Sequence, residues 1–484
     1  MTKQSRLSGA LYLMIAQGIV LVLGYITHPL IGRFLGPAAY GIFGIVLSVQ
    51  SIVGLLLTLG VPIAVSRFVA RDEQHAHSIL NQALIIQSIV ALTVSLSTFL
   101  LSPLLANLLG DASLTKYIRF IALVIFLQAY YPVFVQFLSG LHRFTRQALL
   151  TSVYALAKLL GALTLLYFFN VYGAFAGFAV GGLMAGTLGW WWTRQAGGYQ
   201  KKQLPLKSFL SFAGTYVLIL VGLQILISLD LFMVKSLLKD DVQAGFYNAA
   251  VTLSRISYML LQALAFILLP SVSALTKPGE NHDEAVVFIG QAIRYLIALI
   301  VPSVVVAATT SKALVHLFFS QEFSPAAPIL SVLMVGVGCL AFYLLLTNIV
   351  AGAGRPKVGL LLTLGLVILS GILGMWFIPR WGLIGAAWQT TITGSVGLLI
   401  LGLYTFRVFG LQYPIKSTIN IMLATVVAVL PTYWWQPTTL LLPFLYLLTV
   451  VVYISVLFLL REITPDDRRR VAQMHPLLKW VGSR

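Results

Sequence analysis

Acidic residues are scarce in this chain. Thirteen Asp and Glu stand among 484 residues against 31 Lys and Arg, and charged residues of both signs amount to only 9%. A surface wetted on all sides needs several times that share of charge, so an ordinary soluble domain is excluded. Cysteine is rarer still: Cys339, in an apolar run, is the single one, which rules out a disulfide framework and reads as packing. Acid–base or metal chemistry would call for clustered carboxylates or a sizeable catalytic loop, and neither stands out. Asp240-Asp241 lies in a short break and reads as the opening of a helix. His75 and His77 beside Asp72 and Glu73 have metal-like spacing, but they sit in a polar loop and read as a solvated turn.

What is abundant is apolar sequence, at 59% of residues with a mean hydropathy of +0.95. The chain therefore reads as an all-α polytopic membrane protein. Lys3 and Arg6 precede an apolar run, as in a signal peptide. That run reaches about Ile31 without a small-residue cleavage site, which predicts a retained first span. Counting apolar runs of about 20 residues between polar breaks gives about fourteen spans. The net charge of +18 could suggest nucleic acid, but the basic residues fall mostly in alternate short loops. With the N-terminus inside, roughly 21 of the 31 Lys and Arg are cytoplasmic, among them Arg67, Arg71, Arg143, Arg146, Lys201, Lys202, Arg355 and Lys357. The expected setting is a cell membrane with both termini cytoplasmic, membrane lipids as neighbours and no nucleic acid.

The breaks repeat. Arg33 precedes Gly36-Pro37 and a restart at Tyr40-Gly41. Lys235 precedes Asp240-Asp241 and a restart at Gly245-Phe246. Ser139-Gly140-Leu141-His142-Arg143 answers Ala351-Gly352-Ala353-Gly354-Arg355, and Tyr172-Gly173 answers Trp381-Gly382. Small residues then recur at every fourth position (Gly173, Gly177, Gly181, Ala185, Gly189; Gly382, Ala386, Thr390, Gly394), a pattern that lets helices approach closely in lipid. The reading is two six-helix lobes in parallel repeat, 1–194 and 208–407, joined by a cytoplasmic linker at 195–207. Two extra helices at 408–461 and a cytoplasmic tail at 462–484 complete the chain.

Ionisable groups inside spans are costly unless they face water or a partner. Lys158, Arg255 and Arg294 fall mid-span, Arg33 and Lys235 lie nearer the outer mouths, and Asp230 is the clear intramembrane acid. Asn248, Thr252, Arg255 and Gln262 share one helical face, as do Thr151, Tyr154, Lys158 and Gly161, and Gly44, Ser48 and Ser51. Such stripes predict a hydrated cationic cavity suited to an anion, with Arg33, Lys158, Arg255, Arg294, Tyr154, Asn248 and Gln262 as binding candidates. Tyr154 and Tyr258 offer rings for sugars. Each cation also has a structural reading: Arg33 and Lys235 by snorkelling to the outer interface, Arg294 by snorkelling inward, and Arg255 by pairing with Asp230.

Gly32–Val46 (GRFLGPAAYGIFGIV), Leu59–Ala70 (LGVPIAVSRFVA) and Gly352–Val358 (GAGRPKV) resemble oligosaccharide flippases. These form the polysaccharide transporter family within the multidrug/oligosaccharidyl-lipid/polysaccharide (MOP) exporter superfamily. The resemblance implies a transporter that carries a polyprenyl-pyrophosphate-linked oligosaccharide or cell-wall precursor from the inner to the outer leaflet by alternating access. It also implies that the extra helices flank a groove for a lipid tail and that other glycan-assembly membrane proteins are partners. The Pro-Asn-x-x-Arg element expected of lipid II flippases is absent, which counts against that cargo. No cofactor is expected; a coupling ion, H⁺ or Na⁺, would fall to Asp230. A drug/cation antiporter of the same superfamily should hold more intramembrane carboxylates, and a membrane-embedded glycan-assembly enzyme more acidic or loop sequence.

Overall fold

The computed structural model describes the backbone of residues 6–194, 206–272, 282–410, 415–434 and 441–463, and side chains over 12–194, 220–256, 286–410, 415–434 and 441–463. Positions 195–205 of the expected linker and most of the tail lie outside these residues, while Leu206 and Lys207 already belong to a helix. Among the described residues the regular structure is entirely helical. In order the helices are α1 Arg6–Leu59, α2 Val61–Arg71, α3 Ala76–Leu108, α4 Leu114–Gln128, α5 Tyr131–Gly140, α6 Phe144–Thr193 and α7 Leu206–Leu238. They continue with α8 Asp241–Val272, α9 His282–Thr309, α10 Ser311–Phe318, α11 Ala326–Gly352, α12 Pro356–Phe409, α13 Ile415–Trp434 and α14 Leu442–Leu459.

Ten stretches of the described residues are long and apolar enough to cross a membrane. Helices α1, α6 and α12 run 54, 50 and 54 residues, about 75–80 Å against about 30 Å of hydrocarbon. Each is broken inside by one residue with positive φ: Gly36 at 73°, Asn170 at 50° and Gly382 at 56°. Gly36 precedes Pro37, whose missing N–H and fixed φ suit a restart but not a continuation. The expected fourteen spans require that each of these three helices be two crossings and that α8 be another.

One turn occurs twice, 212 positions apart. Leu141 N–H donates to Phe137 O, His142 N–H to Ser139 O and Arg143 N–H to Leu138 O; Ala353, Gly354 and Arg355 donate to Ile349, Ala351 and Val350 in the same way. His142 and Gly354 both take positive φ, as do Asn170 and Gly382 at the same spacing. Gly173 lies against the Leu165 carbonyl and Gly385 against that of Phe377. The structural counterpart of Gly173 is thus Gly385 rather than Gly382. Gly382 serves a backbone turn that asparagine, among the side-chain-bearing residues most tolerant of positive φ, makes at position 170.

The chain divides into two compact units. Unit 1 comprises Met1–Ala249, Phe318–Phe323 and Thr363–Ala386. In it α1 packs against α6, α4 and α7, and α2 against α5. Val65, Leu80, Phe137 and Leu150 form part of its core between α2, α3, α5 and α6. Glycines of α6, in the stripe and beside it, meet backbone directly: a Cβ on Gly177 would lie 2.1 Å from Ala162 N, and one on Gly182 2.6 Å from Gln128 Cα. Unit 2 comprises Ala250–Leu317, Ser324–Leu362 and Ala387–Arg484. There α9 packs on α11 and α13, α13 packs on α14, and Ile421, Ala424 and Leu457 form a small core.

Candidate functional site

In unit 1 an ionic network ties the end of α7 and the start of α8 to the segment between α3 and α4. Lys235 is 2% exposed and reaches Asp111 at 2.7 Å and also Asp241. Lys235, read from the sequence as a cation near the outer mouth, thus meets two partly exposed carboxylates. With two carboxylates in reach, pairing offsets the cost of burial. Burial opposes ionisation of Asp111, but hydrogen bonds with Lys235 and Ser113 outweigh it and hold the carboxyl below its ordinary value. Asp240 accepts from the backbone N–H groups of Val242 and Gln243, so it caps α8, the helix-opening role its position suggested.

Two candidates bond to backbone carbonyls of other segments. Arg33 is exposed and donates Nε–H to the Phe319 carbonyl at 2.7 Å. Asn248 donates to the Tyr40 carbonyl at 3.3 Å and fills the space that Gly44 leaves open; a Cβ there would lie 2.2 Å from its amide. Ser48 and Ser51 bond back to the carbonyls of Gly44 and Leu47. Asp230 is 4% exposed and accepts from Tyr247 Oη–H at 2.8 Å and from the Leu231 N–H at 2.7 Å. Lys158 and Tyr154 stay side by side on α6, next to two rings that sequence reasoning missed, Tyr131 and Phe178. No sequence signal sets those two apart from ordinary apolar packing. His75 Nδ1 sits 2.7 Å from Asp72 Oδ1.

Unit 2 contains a cavity of about 970 Å³ formed by α9, α11, α12 and α13. Its wall is almost wholly aliphatic and aromatic, with Ile297, Val301, Val335, Phe342, Leu398 and Met422; Cys339 and Thr418 add the few polar atoms. At that size it falls at the upper end of ordinary ligand cavities. Arg294, between the lining residues Ile293 and Ile297, does not point into open space. Its Nε–H donates to Glu462 Oε1 at 2.9 Å and its terminal nitrogen to the Glu462 carbonyl, while Asn420 donates to Oε2 at 2.9 Å. Burial opposes ionisation of Glu462, yet hydrogen bonds from Ser417, Asn420 and Arg294 and the arginine charge hold its carboxyl below the usual value. Arg255 is half-buried on α8 and engaged with neighbouring groups. The side chains of Gln262 and Tyr258 lie outside the described residues.

Broken long helices, a positive-φ turn repeated 212 positions on and an apolar cavity beside the C-terminal helices are the features against which known proteins can be set. A sequence profile of the family described as "Polysaccharide biosynthesis protein" matches residues 7–276, more than half of the chain. The chain belongs to that family. One uncharacterized membrane protein of Methanocaldococcus jannaschii is 25% identical over 191 residues, 39% of this chain and 37% of its own length. A second from the same organism is 20% identical over 402 residues, 79% of this chain and 93% of its own. The match therefore spans about a third of the first relative and nearly all of the second. Among solved structures, the fold is similar to that of the lipid II flippase MurJ in an inward closed conformation (TM-score 0.76, 17% identity, 94% of this chain and 99% of that one). It is also similar to an inward-facing MATE multidrug resistance transporter of the MOP superfamily (TM-score 0.61, 16% identity, 81% and 97%). This family member thus shares the fold of those two transporters, and its ten long apolar stretches make it a multi-pass membrane protein.

Proposed function

We propose that the protein is a flippase that moves a lipid-linked oligosaccharide, or a related cell-wall precursor on a polyprenyl pyrophosphate, between membrane leaflets. The observation that carries this reading is the unit 2 cavity. A water-soluble cargo gains little from about 970 Å³ walled by Ile, Val, Leu and Phe, whereas a prenyl chain gains from every methylene it buries there. Family membership and the MOP fold support the same class of transport. The two halves, 1–194 and 208–407, act as lobes in alternating access, with 408–461 as the added tail-binding helices and both termini in the cytoplasm. Asp230, buried beside Tyr247, is the carboxylate suited to a coupling H⁺ or Na⁺.

Cys339 supplies the experiment. It lines the cavity and is the single cysteine of the chain. A membrane-permeant maleimide should label the purified protein at Cys339, and a polyprenyl phosphate should slow that labelling. In cells lacking their own flippase, expression of this chain should restore export of the lipid-linked glycan. Absence of both effects would overturn the reading.

A further inference from the structure

The cations placed inside the spans differ in what they meet. Arg33 has the Phe319 carbonyl, Lys235 has Asp111 and Asp241, and Arg294 has Glu462. Lys158 has no carboxylate and no hydrogen-bond acceptor among the described residues. Its ammonium lies 5.0 Å from the centre of the Phe178 ring and 5.8 Å from that of Tyr154, and those rings are its partners.

The surrounding helices fix this position. Lys158 follows the start of α6 by fourteen residues, about 21 Å of helix, and precedes the Asn170 break by twelve, about 18 Å. A lysine stem spans only a fraction of either distance, so snorkelling to a helix end is excluded by length. Leu149, Leu156 and Leu160 form the exposed face of this segment. At about 100° per residue, Lys158 and Tyr154 lie on the opposite face. The glycine stripe brings the returning half of α6 onto that face. A Cβ on Gly181 would lie 3.0 Å from Lys158 Cβ and 2.9 Å from the Tyr154 carbonyl. The stem therefore rests on Gly181 while the ammonium turns to Phe178, one helical turn away. Tyr154 is held in turn by Tyr131, with the two rings parallel within 9° and 4.1 Å apart. Such a stack fixes the orientation of the ring that Lys158 faces.

Ring faces attract a cation, but by only about 0.5–2 kcal/mol. Lys158 is only half-buried, but mid-span it has neither bulk water nor, among the described residues, a counter-ion beside it, and a cation so placed costs several kcal/mol. Two rings leave most of that cost unmet, and an anion brought into contact with the ammonium would meet it. Building on the flippase reading, we propose that Lys158, framed by Tyr154 and Phe178 and braced by Tyr131, is a binding site for the phosphate of the cargo. The charge is delivered as a point by lysine rather than by an arginine fork, so the site takes a phosphate or diphosphate without demanding one bidentate orientation. Tyr131 acts as a positioning residue through Tyr154.

The test uses the full chain purified in detergent and three probes: farnesyl pyrophosphate, farnesol and inorganic pyrophosphate. Lys158→Met should weaken farnesyl pyrophosphate about ten- to hundredfold, the worth of a charged hydrogen-bonding contact, and leave farnesol binding as it is. Lys158→Arg should retain most of the affinity for farnesyl pyrophosphate. Inorganic pyrophosphate should compete with farnesyl pyrophosphate in the wild type and lose that ability in Lys158→Met. Equal affinity of wild type and Lys158→Met for farnesyl pyrophosphate would overturn the proposal while leaving the flippase reading intact. If neither prenyl probe binds the wild type or protects Cys339, this site is overturned; if export in flippase-deficient cells is also not restored, the flippase reading falls with it. Should Lys158→Met fail to fold, Phe178→Leu is read by the same comparison. Loss of the pyrophosphate increment with farnesol binding kept supports the site, and no change overturns it.

Discussion

Gly41 and Gly245 press their helices together reciprocally. A Cβ on Gly41 would lie 2.2 Å from the Asp241 carbonyl oxygen and 2.8 Å from Gly245 N, and one on Gly245 would lie 1.9 Å from the Pro37 carbonyl oxygen. Each glycine stands four residues after the position whose carbonyl the other touches, so the contact is symmetric between two stretches 204 positions apart. In lipid, where apolar burial between helices gains little, such backbone approach is a main source of association. It joins a helix of the first sequence half to one of the second within unit 1.

Gly41→Ala and Gly245→Ala should each destabilise the protein by about 1–3 kcal/mol, because the obstructing atoms are backbone and cannot turn aside. The double variant should cost less than the sum of the two, since the first methyl already separates the helices. Thermal unfolding of the purified variants reads both effects. Additive losses would show that the two glycines do not share one contact.

The Lys235 network is the electrostatic companion of that contact. Lys235→Met leaves Asp111 and Asp241 facing each other without a cation. The loss should be about 2–3 kcal/mol, at the lower end for a broken buried pair because both carboxylates are partly exposed. Adding Asp111→Asn to Lys235→Met should recover part of it by removing one of the like charges. Melting temperatures of the three proteins at neutral pH give the answer.

How much of this was open to sequence reasoning depended on range. Gly36-Pro37, the turn at Gly140–Arg143 and its partner at Gly352–Arg355, and the α6 glycine stripe are local patterns with local causes, and each marks the feature it suggested. Cation partners are another matter. Arg33 meets Phe319, Arg294 meets Glu462 and Lys235 meets Asp111 across long separations. Spacing along one helix says that a charge needs a partner, and only the tertiary fold says which one. Tyr131 and Phe178 escaped notice for a related reason: an aromatic residue in an apolar run looks the same whether it fills a core or frames an ammonium. Glu462 was assigned to the tail by its position after the last apolar run, whereas Arg294 and Asn420 draw it into unit 2.

Glu462 also makes a pH prediction. Its folded carboxyl is held below the ordinary value, so ionisation favours the folded state. The stabilisation is present above the unfolded value, about 4.3, and is lost as pH falls through the lower folded value. Asp111 acts in the same direction. Thermal stability in detergent should therefore hold between neutral and mildly acidic pH and fall steeply only below about pH 4. Glu462→Gln should lower stability at neutral pH, where Arg294 loses its counter-charge, and should show a shallower acid loss than the wild type. An identical acid profile would mean that the Arg294 network contributes nothing to the transition.

The unit 2 cavity permits a test by filling it. Val335 lines the wall from α11, so Val335→Trp inserts a large ring into the space assigned to the lipid tail. Val450 on α14 is exposed and forms no part of that wall, so Val450→Trp adds the same bulk where the membrane can yield. If the cavity seats a prenyl chain, Val335→Trp should reduce glycan export by about tenfold or more, while Val450→Trp leaves it unchanged at matched protein levels. Folding must be checked separately, because overpacking a core can cost about 1–3 kcal/mol. A cavity already open enough for a ligand should accept the ring with little loss in melting temperature. Labelling of Cys339 completes the comparison: in Val335→Trp polyprenyl phosphate should no longer slow it, since the ring takes up space in the cavity that Cys339 also lines. Normal export by a folded Val335→Trp protein would mean that the tail travels elsewhere, and the cavity would then lose its claim to be the lipid seat.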